Sequence, residues 1–180
     1  MGELPDELVG EFITAVVEDS AKAERLLADH PALLNARWMH DETVLHFLAI
    51  EDFVDAVRFL VVHGADVNAV NEFGDSPLVD VADLGRNEIA KMLLTAGANP
   101  NGPSTPWRDC PIHNAARKGN VHLETLLLNA GADARYVNSY GYTIFDALDE
   151  ALPEDRQRIL ALLAERGIVA PLESDDAADE

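Results

Sequence analysis

In the stretch FVDAVRFLVVHG, residues 53–64, apolar side chains at Val54, Val57, Leu60 and Val61 fall at i, i+3, i+6 and i+7. That spacing lines one face of a helix with a stripe that must be buried. The run stops at His63-Gly64, where a helix commonly ends in the left-handed conformation that glycine alone adopts at low cost. A small polar cluster, Ala-Asp-Val-Asn, follows. The same events return in MLLTAGANPN, which closes at Asn101, and in LLLNAGADAR, which closes at Arg135. Ahead of each long stripe lies a shorter apolar segment: TVLHFLAI, SPLVDVADLG, CPIHNAARKG and TIFDALDEAL. Thr43 opens the first of these as a good N-cap. Pro77, one residue after Ser76, sits at the first helical position, where its missing N–H costs nothing. The pattern predicts helix, turn, helix, loop, over and over.

The interval is regular. The helix-ending glycines Gly64, Gly97, Gly131 and Gly167 are 33, 34 and 36 residues apart, and the helix openers Thr43, Ser76, Cys110 and Thr143 are 33, 34 and 33 apart. The two markers part only in the last unit, where three extra residues fall around DEALPEDR. A fixed period of this size means stacked supersecondary units, each needing neighbours to bury its apolar face.

These residues resemble the ankyrin repeat, whose hallmark is Thr-Pro-Leu-His-x-Ala-Ala, a glycine turn, a Leu-rich helix and Gly-Ala-Asp-x-Asn. CPIHNAARKG with LLLNAGADAR is the nearest copy, and SPLVDVADLG with LLTAGANPN and TVLHFLA with VVHGADVNA follow it. Shifting Leu60, Val67, Asn68 and Ala69 back by 33 reaches Leu27, Leu34, Asn35 and Ala36, so LLADHPALLNAR is a first unit with Pro31 in place of the glycine. The resemblance implies an all-α solenoid of about five repeats in one domain, 1–170, with units at about 8–37, 38–70, 71–104, 105–137 and 138–168. The first and last units are caps, the last carrying Arg156, Arg158, Glu165 and Arg166 on its final helix. Residues 171–180, acidic and poor in apolar side chains, read as a disordered tail.

Composition narrows the partners. Of the 180 residues, 33 are acidic and 13 basic, a net charge of −20. Such a surface repels phosphate backbones, which argues against nucleic acid, and attracts basic proteins in a salt-dependent way. Simple solubility is the plainer reading of the same charge. One cysteine, Cys110, excludes an intramolecular disulfide and fits a reducing compartment. No stretch is apolar and long enough to span a bilayer, and the N-terminus shows no secretory pattern. The expectation is a cytoplasmic protein, monomeric on its own, without cofactor or metal.

Two sets of residues are open to competing readings. By resemblance, His46 and His113 hydrogen-bond backbone and the helix-opening hydroxyl and tie one turn to the next. Metal ligation is the alternative, and no Cys or His pair shows metal spacing. His30 and His63 precede helix exits and suit capping of the last carbonyls, and His122 suits an outer surface. Cys110 with His113 and Asp109 could be read as a thiol nucleophile with its base. The repeat register explains both Cys110 and His113 without chemistry, so no enzyme is expected.

The informative positions are those the repeat leaves free. Three residues before the openers stand His40, Phe73, Trp107 and Tyr140, an aromatic ring at every loop tip. One residue before them stand Glu42, Asp75, Asp109 and Tyr142. Glu72 joins the acids beside Phe73. The first helices end in Ile50-Glu51, Asp83-Leu84, Arg117-Lys118 and Glu150, so the face is acidic at first and turns basic at the fourth unit. Exposed rings are preferred anchors of protein interfaces, and acids beside them select Lys or Arg. Packing of the rings against neighbouring loops is the rival reading. Trp107, in the Pro-stiffened loop NGPSTPWRD, is the ring best placed for binding.

The resulting expectation is a non-catalytic module that binds a partner protein with a basic surface through an acidic, aromatic-lined concave face. The alternative is an immunity protein or inhibitor that neutralises a basic toxin, nuclease or other enzyme. Self-association through the ring ladder is a further possibility.

Overall fold

The computed structural model describes residues 4–102 and 110–170. Ten α-helices follow one another among them: α1 (Asp6–Glu18), α2 (Ser20–Asp29), α3 (Val44–Ile50), α4 (Val54–Val62), α5 (Pro77–Leu84), α6 (Asn87–Thr95), α7 (Pro111–Arg117), α8 (Val121–Asn129), α9 (Ile144–Leu148) and α10 (Pro153–Glu165). Short 3-10 turns, Pro31–Asn35 and Met39–Asp41, join α2 to α3. No strand forms among the described residues, and a single antiparallel bridge links Arg37 and Thr43. The fold is the expected all-α solenoid.

The helices stack in two rows. The first helices of the hairpins pack in series, α1 on α3, α3 on α5, α5 on α7 and α7 on α9. The second helices do the same, α4 on α6, α6 on α8 and α8 on α10. One core runs between the rows. Leu48, Val81, Ala115 and Leu148 hold the same place on successive first helices and are fully buried, as are Leu60, Leu93, Leu127 and Leu163 on the second helices. Each buried Leu or Ile contributes roughly 1.5–3 kcal/mol, so the stack is held mainly by this apolar column.

The two markers of the period have clear structural roles. Gly64, Gly97, Gly131 and Gly167 all take the left-handed conformation, with φ between 70° and 92°. The openers divide by chemistry. Thr43 and Thr143 form full capping boxes, with His46 and Asp146 as the reciprocal residues. Ser76 and Cys110 make no side-chain cap hydrogen bond, and their helices begin instead with Pro77 and Pro111 at the first position. Proline removes one N–H that would otherwise need a cap.

Asparagines link each loop to the next. Asn35 Oδ1 accepts from the Asp66 N–H at 2.8 Å, Asn68 Oδ1 from the Asn99 N–H at 2.7 Å, and Asn101 Oδ1 from the Asp133 N–H at 2.7 Å. Asn68 also donates to the Gly97 carbonyl at 3.1 Å. Where the period reaches Arg135, the guanidinium donates to the Gly167 carbonyl at 3.0 Å and takes over that second role. Four successive joints thus use the carbonyl of a helix-ending glycine or the N–H two residues after it.

Candidate functional site

His46 ties a loop to its neighbour, as its place in the repeat implies. The Thr43 N–H donates to Nδ1 at 3.2 Å, which leaves the proton on Nε2 to be donated to the Asp75 carbonyl at 3.1 Å. The ring is fully buried, and burial pushes its pKa down to about 4, so it is neutral at pH 7. His63 Nδ1 lies 2.8 Å from the Phe59 carbonyl, at a helix exit, and His122 is exposed on an outer helix.

The loop tips are built by a device that repeats at residues 71 and 138. Buried Asn71 accepts from the N–H groups of Phe73 and Asp75, both at 3.0 Å. Asn138, also buried, accepts from Tyr140 at 2.9 Å and Tyr142 at 3.0 Å. The asparagine folds the turn around its side chain and pushes the residue two positions on into solvent. Phe73 is 54% exposed and Tyr140 77% exposed as a result. An Asn two positions before a ring, recurring after two periods, was the signal available in the sequence.

At the first two tips the structure brings four predicted residues together. His40 Nδ1 lies 2.7 Å from Glu72 Oε1, the His40 and Phe73 rings are 5.8 Å apart, and the His40 carbonyl accepts from the Glu72 N–H. Glu42 is half-buried beside them. Burial raises its pKa, and the Glu72 charge adds to the rise while His40 opposes it.

Behind the later tips runs an open groove of about 680 Å³. Asp75, Asp83, Arg117, Tyr140 and Tyr142 line it among the predicted residues, with Ile50, Leu84 and Glu150 from the helix ends. Val79, Asp80, Asn114 and Asn138 also line it and escaped the sequence reading, because they lie on the buried side of helix and loop patterns. The Tyr142 hydroxyl donates to Glu150 at 3.1 Å. Glu51 and Lys118 are exposed at helix ends and do not line the groove. Trp107 and Asp109 lie outside the described residues.

The basic step expected at the fourth unit is tied to its neighbour. Arg117 meets Asp83 at 2.8 Å and donates to Asn114 at 2.6 Å, and Lys118 reaches the same Asp83 oxygen at 3.8 Å. Both cations therefore face an acid of the preceding unit. Cys110, at the N-terminal end of α7, is a buried free cysteine, and His113 is fully buried with its ring against Tyr136 and Tyr142. Among the described residues no helix is long and apolar enough to cross a membrane.

Stacked helical hairpins with a groove flanked by projecting loops define a protein-binding solenoid. A family model of three ankyrin repeats matches residues 12–104, just over half of the chain, and the chain belongs to the ankyrin-repeat family. It is 38% identical over 109 residues to the cyclin-dependent kinase 4 inhibitor B of Rattus norvegicus, spanning 59% of this chain and 82% of that protein. With the cyclin-dependent kinase inhibitor 2A of Homo sapiens it shares 35% identity over 113 residues, 62% of this chain and 70% of that protein. A more distant match is the serine/threonine-protein kinase VIK of Arabidopsis thaliana, 32% identical over 79 residues and 18% of that protein. The family and the two inhibitors point to binding of other proteins as the function of this chain.

Proposed function

We propose that the chain captures a partner protein bearing a basic surface in the groove, with Phe73, Tyr140 and Trp107 as loop-tip anchors. The observation that carries this reading is the groove wall itself. Asp75, Asp80, Asp83 and Glu150 line one concavity with the rings of Tyr140 and Tyr142, on a chain of net charge −20. A guanidinium or ammonium entering there meets carboxylates at its tip and aromatic faces along its stem. Long-range attraction speeds the encounter and the rings supply the anchoring contact. His40, Glu42, Glu51, Glu72, Asp109, Arg117, Lys118 and Tyr142 complete the proposed contact surface.

The proposed body is a single domain over 1–170 with caps at both ends, acting as a monomer in the cytoplasm, and residues 171–180 form an acidic tail. Retention of partner from the source lysate tests the reading, with wild type and a Phe73→Ala, Tyr140→Ala double variant compared at low and high salt. Support is one basic protein held by wild type, released by salt and lost in the variant. Equal recovery by both proteins contradicts it.

A second reading makes the capture inhibitory. Its support is the similarity to proteins named as inhibitors of cyclin-dependent kinases. A captured enzyme that keeps full activity at saturating concentrations of this chain would eliminate it.

A further inference from the structure

Seven residues before the helix-ending glycines stand Val57, Ala90, Glu124 and Leu160. Val57 and Ala90 are fully buried, and so is Glu124, at 0% exposure. A glutamate therefore occupies a place on α8 that the repeat fills with aliphatic side chains. Neither of its carboxylate oxygens has a hydrogen-bond partner among the described residues. A charge in such a place is expensive, and a group with no counterion in contact takes up a proton instead.

The charged and titratable groups around it are few. His113 of α7 and Arg166, just after α10, are those whose fields reach the carboxyl. Arg166 is exposed and donates to Asn129 at 2.7 Å. From α6, Glu88 and Lys91 point to solvent, as does His122 on α8 itself. On α10, Asp155 is engaged by Arg158 at 3.2 Å and Arg156 by Asp149 at 2.7 Å, while Glu154 and Glu165 are exposed. Burial pushes the Glu124 pKa up to about 8, with His113 and Arg166 opposing the rise.

Glu124 is a buried residue of α8, the helix of the fourth unit on which α10 of the fifth unit packs. Helix α10 packs on α8 and α9 on α7, so undocking the fifth unit would open Glu124 to water. His113 connects this place to the groove. Its ring lies 5.7 Å from that of Tyr136 and 5.9 Å from that of Tyr142, and Tyr142 lines the groove with Tyr140, Asn138 and Glu150.

We propose that Glu124 is a proton-gated latch: the fifth unit docks firmly on the fourth only while this buried carboxyl is protonated, so the far wall of the groove is held less tightly as the pH rises. Docked, the carboxyl holds a proton taken from solvent. Undocked, it releases that proton to water as an ordinary carboxylic acid. Above about pH 6.5 an exposed imidazole and an exposed carboxyl are both deprotonated, so docking takes up one proton and weakens about tenfold for each pH unit, until the buried carboxyl itself ionises near pH 8. The latch stands on the buried carboxyl alone; its consequence for partner capture rests on the groove reading proposed above.

Hydrogen exchange of the α9 and α10 amides tests it on the full chain without any partner, between pH 6.5 and 8, with rates corrected for intrinsic exchange. The opening of wild type should rise about 15-fold over that window relative to Glu124→Gln, because the buried carboxyl is half ionised at its upper end. Identical pH profiles for the two proteins would overturn the proposal. A carboxyl carbon-13 titration of the native protein gives a readout that needs no variant: a midpoint for Glu124 near 8 supports the latch, and one in the ordinary range near 4.3 overturns it. Neither result depends on the groove, so failure of the latch leaves the binding reading intact, and loss of binding leaves the latch intact.

Discussion

The imidazole Nε2 of His46 lies 3.1 Å from the carbonyl oxygen of Asp75, 29 residues further along the chain. This bond joins the first helix of one unit to the loop that opens the next. On the other side of the ring, Nδ1 serves Thr43. One buried side chain thus caps its own helix and fixes the loop that carries Phe73.

Replacing His46 by Ala removes both bonds and leaves a buried void. The expected loss is about 3 kcal/mol in urea unfolding, since unsatisfied backbone groups and the cavity add. A loss below about 1 kcal/mol would show that the loop joint is held by other contacts.

The same ring makes stability depend on acid. Its pKa is lowered from 6.5 to about 4 in the folded chain, so the unfolded chain binds the proton more readily. The contribution is complete above pH 6.5 and is lost as the pH falls toward 4, in total roughly 3 kcal/mol at about 1.4 kcal/mol per pH unit. Wild type should therefore lose stability across that window more steeply than His46→Gln, as read by chemical unfolding at half-unit intervals of pH.

Gly119 closes the turn between α7 and α8 with φ +65°, and a Cβ built there would stand 2.9 Å from the Cβ of Asp155. Gly119→Ala meets both a left-handed backbone and a collision with α10. A loss of about 2 kcal/mol is expected, and Asp155→Gly in the same chain should recover the part due to the collision. Thermal unfolding of the two variants separates the terms.

Asn68 binds two backbone groups of the next loop, at Asn99 and Gly97. Its exchange for Ala is expected to cost about 1 kcal/mol, a fall of about 2–4 °C in Tm, because the freed groups can reach water. Equal Tm for the two proteins would mean that the asparagine joints add nothing to the apolar column.

Tyr140 should behave in the opposite way. It is highly exposed, so Tyr140→Ala should change stability by no more than about 0.5 kcal/mol while weakening partner binding about tenfold or more. Calorimetric titration of the captured partner, beside thermal unfolding, checks both halves.

Much of this architecture is legible in the sequence because a repeat multiplies each local signal. A glycine after an apolar stripe is weak punctuation alone, and Gly64, Gly97, Gly131 and Gly167 together are a lattice. His46 and the rings of Phe73 and Tyr140 were legible for the same reason. What the pattern could not show depends on contacts between units. Arg117 reads as a step toward a basic face, yet it lies against Asp83 of the preceding unit. Arg135 reads as a departure from the asparagine position, yet it bonds the next glycine carbonyl as Asn68 does. Glu124 is one polar residue in a Leu-rich helix, and only the stacked structure shows that it is sealed from water.

Capture of a basic partner in the groove is the central claim, and hydrogen exchange of this chain with and without its bound partner tests it most directly. Protection is predicted over 71–84 and 138–150, the loops and helix ends that line the groove, and the protection should fade as salt rises. Protection confined to α4, α6, α8 and α10 would place the interface on the outer helices and contradict the account.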